Sequence, residues 1–266
     1  MNFLRHYLLA VQFFTRIPVT GALAQWVGFS PQLLRASAGH FPGVGWLVGS
    51  VACLAFALLS LALGGSAPLV AAVGCTIVTV LLTGGFHEDG LADVADGLGG
   101  ASERGRALEI MKDSRIGAFG AMALVLGMLA KVSLLALLGA RSPSGVLAAL
   151  LGAHVLSRFW PLLLVWALPH VGDAAGSKSK PLVAQISGRT LAVALAWCLP
   201  SLAPLAYLQG PGLLAAAALA SGLALLWMWR LFARRLQGFT GDCLGATQQV
   251  CEIAFYLGAA VVLVRP

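Results

Sequence analysis

Long apolar runs separated by short polar joints set the rhythm of this chain. A helix needs about 20 apolar residues to cross the hydrocarbon layer. Runs of that kind lie at 44–64, 68–86, 116–139, 146–168, 190–208, 212–229 and 248–264. The pattern predicts an all-α fold, a polytopic integral membrane bundle of about seven transmembrane helices. The last run is the shortest and carries Glu252, so six crossings stand as the alternative. Residues 1–17 read differently. Arg5, His6, Gln12 and Arg16 interrupt an apolar stretch that no small-residue cleavage site follows. That is an N-terminal amphipathic helix lying in the interface rather than a secretion signal. No internal repeat or domain-sized linker divides the chain, so residues 1–266 are expected to form a single membrane-embedded domain.

Composition agrees with this pattern and charge orients it. With 59% hydrophobic and 10% charged residues and a mean hydropathy of +0.89, there is too little polar sequence to clothe a soluble core. Seven crossings with the N-terminus inside put thirteen of the seventeen basic residues on the cytoplasmic side, and only Arg141 and Arg265 opposite. This is the positive-inside pattern. It makes the net charge of +7 largely topological. Nucleic acid is a poor partner, because the basic residues are scattered over four loops without interleaved aromatics. The five cysteines lack metal-ligand spacing and suit a reducing side or lipid burial.

The acidic residues are distributed quite differently. Glu88, Asp89, Asp93, Asp96, Glu103, Glu109 and Asp113 are seven of the ten acids in the protein. On a helix, Asp89, Asp93 and Asp96 stand at i, i+4 and i+7 and share one face. Stacked carboxylates repel, so they need a counter-charge. One reading spreads them onto Arg104, Arg106, Lys112 and Arg115 as a solvated salt-bridge face. The other seats a hard divalent cation, Mg²⁺ or Mn²⁺. The glycines interspersed at 84, 85, 90, 97, 99 and 100 favour the second, because they would let backbone approach a phosphate. Such a metal is usually completed by phosphate oxygens, which points to phosphoryl or phosphodiester transfer. His87 and Glu88 lie beside this face, as a general base or as hydrogen-bonded support.

Further polar groups are expected on the same side. In MKDSRIGAFG (111–120), Ser114 and Arg115 precede a helix N-terminus that can receive an anion, or they form a basic membrane anchor. Thr240, Gly241 and Asp242 form a turn-and-cap before the last run. Gln248, Gln249 and Glu252 then enter an apolar helix, which is costly unless they line a polar cavity. Lys178 and Lys180 in GSKSKP suit phosphate contact or interface anchoring. Arg158, at mid-span, is expected to face a cavity, whereas Lys131 is expected to snorkel.

HEDGLADVADGLGG, MKDSRIGAFGA and GFTGDCLGATQQVCE, with FFTRIPV and FPGVGWLVG nearer the start, resemble the cobalamin synthase family, the adenosylcobinamide-GDP ribazoletransferases. The resemblance runs from about residue 10 to 258. It implies a Mg²⁺-dependent, multi-pass enzyme of the bacterial inner membrane with its active site facing the cytoplasm. It also implies two substrates, adenosylcobinamide-GDP and α-ribazole or its 5′-phosphate, with GMP released and no covalent enzyme intermediate. By the same resemblance Asp89, Asp93 and Asp96 hold the metal, with Glu88 as a further ligand or base. Arg115, Lys178, Lys180 and Arg235 counter the phosphates, and Asp242 is a second metal ligand or orients a hydroxyl. A homo-oligomer or a complex with other cobalamin-pathway enzymes stays open. Two other readings are a CDP-alcohol phosphatidyltransferase-like lipid enzyme and an ion-coupled transporter. Asp93 stands where the lipid-enzyme motif has arginine, and the transporter reading lacks the repeated halves common in that class.

Overall fold

The computed structural model describes residues 2–172 and 186–264. Among them the chain is almost wholly helical, with one isolated bridge between His170 and Phe239. Three short helices come first: α1 (Asn2–Phe14), α2 (Gly21–Val27) and α3 (Pro31–Ser37). A 3₁₀ turn at Ala38–His40 leads into α4 (Phe41–Ala62), followed by α5 (Pro68–Thr83), α6 (Phe86–Gly100) and α7 (Arg104–Ile110). The remainder is α8 (Ala118–Arg141), α9 (Pro143–Ala167), α10 (Gly188–Gln209), α11 (Pro211–Arg235) and α12 (Gly241–Leu263).

Local chemistry explains many of these boundaries. Ser30, Ser142, Ser187 and Thr240 each cap the helix that follows by accepting a backbone N–H of its first turn. Proline occupies the first helical turn of α3, α5, α9 and α11, where its missing N–H costs nothing. Six helical stretches are long and apolar enough to cross a membrane: α3 continuing into α4, then α8, α9, α10, α11 and α12. Leu61, Leu126, Leu199 and Leu219 are exposed on these helices, which is how side chains facing lipid behave.

The expected crossing at 68–86 is the one that differs. Gly84 and Gly85 both take left-handed backbone angles (φ 71° and 72°), which end α5 and start α6 at 90° to it. A side chain at either position would be strained. The α5–α6 pair makes a seventh crossing only if it is counted as one broken span. The acidic helix therefore leaves the line of α5 at a right angle instead of continuing it.

α12, read from sequence as the weakest span, starts at Gly241 rather than 248 and is among the most buried helices. It packs against α6, α8, α9 and α11. Small residues permit the close approaches. A Cβ on Gly258 would collide with the α11 backbone at Ala216 and Ala217, and one on Gly45 with the α9 backbone at His154 and Val155. Such contacts matter because lipid supplies no hydrophobic force between helices, so packing and hydrogen bonds hold them together. α1 buries Leu9, Ala10, Val11 and Phe14 against the bundle.

Candidate functional site

α6 crosses the first turn of α12 at close range. A Cβ on Gly90 would lie 2.7 Å from the Asp242 carbonyl oxygen and 3.1 Å from its Cα. One on Gly245 would lie 3.3 Å from the His87 Cα. Bare backbone at these two points lets the helices touch, and this brings Asp242 beside the α6 carboxylates. The glycines of the acidic stretch thus serve the turn and the helix crossings. Gly97 likewise meets α7 at Ala107 and Met111, and Gly99 meets Phe119. Room for a phosphate is not what most of them supply.

An open groove of about 810 Å³ runs along α6. Glu88, Asp89, Asp93, Ser114 and Arg16 are in its lining, together with the Gly84–Gly85 turn. Asp89 is exposed and Asp93 half-buried. Burial, followed by the neighbouring carboxylates of Asp242, Asp89 and Asp96, pushes the Asp93 carboxyl up to about 7. Asp89 and Asp93 therefore present mutually repelling carboxyls to the groove, and Asp242 adds to the repulsion from beside them without lining it.

The other two expected metal ligands are used differently. Asp96 is buried. Its Oδ2 accepts from the Gly117 N–H at 2.7 Å and its Oδ1 from the Gly120 N–H at 2.8 Å. The anion expected at the α8 N-terminus is thus supplied by the protein itself, because free amides and the helix dipole attract the nearest carboxylate. Glu88 lines the groove, but its carboxylate turns inward. Oε1 accepts from Gln249 Nε2 at 3.0 Å, and Oε2 is buried without a partner. Among the described residues, no three His, Cys, Asp or Glu side chains converge tightly enough to enclose a metal by themselves.

Several expected phosphate contacts also find partners within the protein. Arg115 forms an ion pair with Asp113 at 2.6 Å, and its hydrogen bonds hold the Asp113 carboxyl down at about 2. Arg235 donates to the carbonyls of Leu98 (3.3 Å) and Ala101 (2.5 Å), closing the α6 C-terminus. Thr240 caps α12 and donates to Asp242 Oδ2 at 3.2 Å. Lys178 and Lys180 lie outside the described residues. Arg158 and His87 are 2% and 1% exposed and face the bundle interior.

Beneath the groove lies a buried polar network. Lys131 pairs with Glu252 at 2.6 Å, both fully inside, so Lys131 does not snorkel. Burial here follows from the partner: a lysine–carboxylate pair on facing helices is cheaper to bury than either charge alone. Glu252 also accepts from Gln248 (2.7 Å) and Tyr256 (3.1 Å). Gln248 reaches Ser157, and Gln249 joins Gln248 to Glu88. Arg158 donates to the His154 carbonyl at 2.8 Å and lies 5.9 Å from the Phe41 ring centroid. The polar residues entering α12 thus line no open channel; they bond to each other and to α8, α9 and α6.

Sequence reasoning missed Arg16. It assigned this residue to a headgroup-facing position, whereas Arg16 N–H donates to the Leu82 carbonyl at 2.7 Å and its guanidinium lies over Gly84 at the groove wall. The available signal was an arginine ending an otherwise apolar FFTR run. Nothing local says that this end meets the α5–α6 turn. A separate pocket of about 360 Å³, lined by His6, His40, Arg189 and Thr190 among others, has no carboxylate in its lining.

Residues 6–260 match the family described as cobalamin-5-phosphate synthase. The chain belongs to that family. Proteins named adenosylcobinamide-GDP ribazoletransferase are similar to it along almost their whole length. The one from a Polaromonas species is 63% identical, covering 98% of both chains. That of Polaromonas naphthalenivorans is 62% identical over 99% of this chain and 100% of its own. That of Leptothrix cholodnii is 46% identical over 96% and 94%. No solved structure matches the chain. Family membership makes this protein an enzyme of cobalamin biosynthesis, a transferase with several apolar helices able to cross a membrane. It sets aside the lipid-enzyme and transporter readings.

Proposed function

We propose that the α6 groove transfers the adenosylcobinamide phosphoryl group of adenosylcobinamide-GDP to α-ribazole or its 5′-phosphate. The 3′-hydroxyl of the ribazole forms a new bond to the phosphorus on the cobinamide arm. The bond from that phosphorus to the GMP phosphate breaks, GMP departs, and the hydroxyl proton is taken up by a groove carboxylate. The observation that carries this reading is the pair Asp89 and Asp93 in a groove whose wall also bears Arg16 and Ser114, with the Asp242 carboxyl close by.

The donor set fits Mg²⁺. This ion takes only one or two carboxylates, keeps several waters and completes its shell with substrate phosphates, so it needs no protein cage. Asp89 and Asp93 would hold it, with the negative charge of Asp242 nearby, and it would neutralise charge on the diphosphate. Glu88 and Asp96, engaged with Gln249 and with the α8 amides, shape the wall instead. Arg16 offers a guanidinium fork to phosphate oxygens, and Ser114 offers a hydroxyl. His87, buried at the α6–α12 crossing, does not act as the base.

The chain resides in the bacterial inner membrane with the groove at the cytoplasmic surface. Supporting this, the segments that join α6 to α8 and α11 to α12 carry Arg104, Arg106, Lys112 and Arg115 and, at the end of α11, Arg230, Arg234 and Arg235. Purified protein in nanodiscs should release GMP from adenosylcobinamide-GDP only when both ribazole and Mg²⁺ are present. Asp89→Asn and Asp93→Asn should abolish turnover without loss of folded protein. Near-normal turnover in both variants would overturn the assignment.

A further inference from the structure

Beside the acidic groove lies a second opening of different chemistry. Phe13, Phe14, Phe41, Phe86 and His87 line it, with Leu244 and Gly245 of α12. Phe13 and Phe86 belong to both linings, so the slot opens off the groove. His87 and Phe41 lie ring over ring, 5.8 Å apart and within 8° of parallel, and Phe14 stacks on Phe41 at 4.0 Å. Among the side chains that line the slot, one carries a buried polar atom that the fold does not satisfy. His87 is 1% exposed and its Nε2 has no hydrogen-bond partner. A buried ring nitrogen left unpaired is costly, and such a group in a native protein calls for an occupant that pairs it.

We infer that this slot seats the fused-ring base of the ribazole acceptor, with His87 Nε2 pairing the one free ring nitrogen of the benzimidazole. The inference rests on the transferase reading above and adds to it the place where the acceptor binds. Selectivity follows from counting polar atoms. A benzimidazole riboside has a flat apolar body and a single unsubstituted nitrogen, matching a slot of aromatic faces with a single polar contact. Guanine, the base on the other substrate, would bring several edge donors and acceptors into the same slot and leave most of them unpaired. The slot encloses only about 40 Å³ of free space, so the base enters as the two shared rings, Phe13 and Phe86, swing towards the groove. Phe86 is exposed and Phe13 half-buried; the edge-on contacts they make with each other and with Phe14 would be exchanged for contacts with the base. With the base held there, the ribose is directed to the groove that carries Asp89 and Asp93.

The test compares α-ribazole with the matching indole riboside, in which C–H replaces the free ring nitrogen. Wild-type protein should favour α-ribazole by at least about tenfold in kcat/KM for GMP release. His87→Phe should remove that preference and leave KM for adenosylcobinamide-GDP within about twofold. His87→Gln, whose amide nitrogen can stand in for Nε2, should retain it. Should His87→Phe fail to fold, the wild-type preference and the His87→Gln variant still decide. A separate measurement uses labelled α-ribazole and equilibrium dialysis against wild type and Asp89→Asn in nanodiscs, with neither Mg²⁺ nor the GDP substrate present. The same preference over the indole riboside is expected in both. Preferential binding without GMP release would leave the slot standing and overturn the transferase reading. GMP release with equal use of both acceptors would do the reverse, with water as the partner of His87. Loss of both would overturn both.

Discussion

Asp96→Asn is the perturbation that separates a metal ligand from a helix cap. The carboxylate takes two backbone N–H groups of the first turn of α8, at 2.7 and 2.8 Å, and is 8% exposed. Asparagine keeps one acceptor oxygen. Its amide then faces the second backbone N–H and leaves that donor buried and unpaired. Weakening one charge-assisted bond costs about 1 kcal/mol, and orphaning the other donor about 1–3 kcal/mol more. The sum, about 2–4 kcal/mol, corresponds to a fall of about 5–15 °C in melting temperature for a chain of this size. Melting would be followed in detergent by intrinsic fluorescence, and apparent Mg²⁺ affinity by GMP release on the surviving folded protein. The cap reading predicts the large fall in melting temperature with little change in Mg²⁺ affinity, whereas Asp89→Asn should melt like wild type and release no GMP. Gly120→Ala provides a check that leaves every carboxylate in place. Its new Cβ would collide with Asp96 Oδ2 and lie 2.9 Å from the Ala92 carbonyl, so melting should fall here too. If Asp96→Asn melts like wild type and loses turnover as Asp89→Asn does, or needs far more Mg²⁺ to sustain it, Asp96 is a ligand and the reasoning fails.

Two further outcomes follow from the same geometry. Lys131→Met strands Glu252 in the bundle and should destabilise by about 3–5 kcal/mol in a detergent unfolding titration, whereas Lys131→Met with Glu252→Gln should recover most of that loss; equal losses would show that the pair is not coupled. Because the Asp93 carboxyl is pushed up to about 7, protons compete with the cation as pH falls, so apparent Mg²⁺ Kd should rise about tenfold from pH 8 to pH 6; a flat profile would remove Asp93 from the ligand set.

The apolar runs made most of the bundle legible. Six of the expected crossings reappear as helices with shifted ends, since a lipid-facing helix needs little beyond length and apolarity. The acidic stretch was legible as a candidate site for a related reason: carboxylates are scarce in this chain and seven of the ten lie within 88–113. What the one-dimensional pattern could not divide was the work among the carboxylates. Asp89 and Asp96 look alike in sequence, and only the arrival of the α8 N-terminus, 21 residues further on, makes one a cap. Lys131 and Glu252 are separated by most of the second half of the chain, so nothing local marked either as the other's partner. Arg16 depends on a contact between α1 and the α5–α6 turn that no periodicity encodes.

The bend at Gly84–Gly85 links these observations physically. Had α6 continued along α5, its carboxylates would extend into water on a lone helix, screened and without a wall opposite. Turned by 90°, α6 lies across α8 and α12, the helices it packs against most. Both present their N-terminal ends to it, α8 by the amides that hold Asp96 and α12 by the first turn beside Gly90. The partial positive charge at each end, about half an elementary charge, favours nearby anions. It offsets part of the repulsion among Asp89, Asp93 and Asp242, and the remainder is what a divalent cation and its diphosphate ligand would relieve. Below, the bond from Gln249 to Glu88 ties α6, through Gln248, to the buried Glu252–Lys131 pair, so the helix carrying the clustered carboxylates is anchored to the bundle core while its outer face stays open. Residues that form this anchor should therefore affect turnover through the geometry of the groove, and those on its open face through the charge it presents.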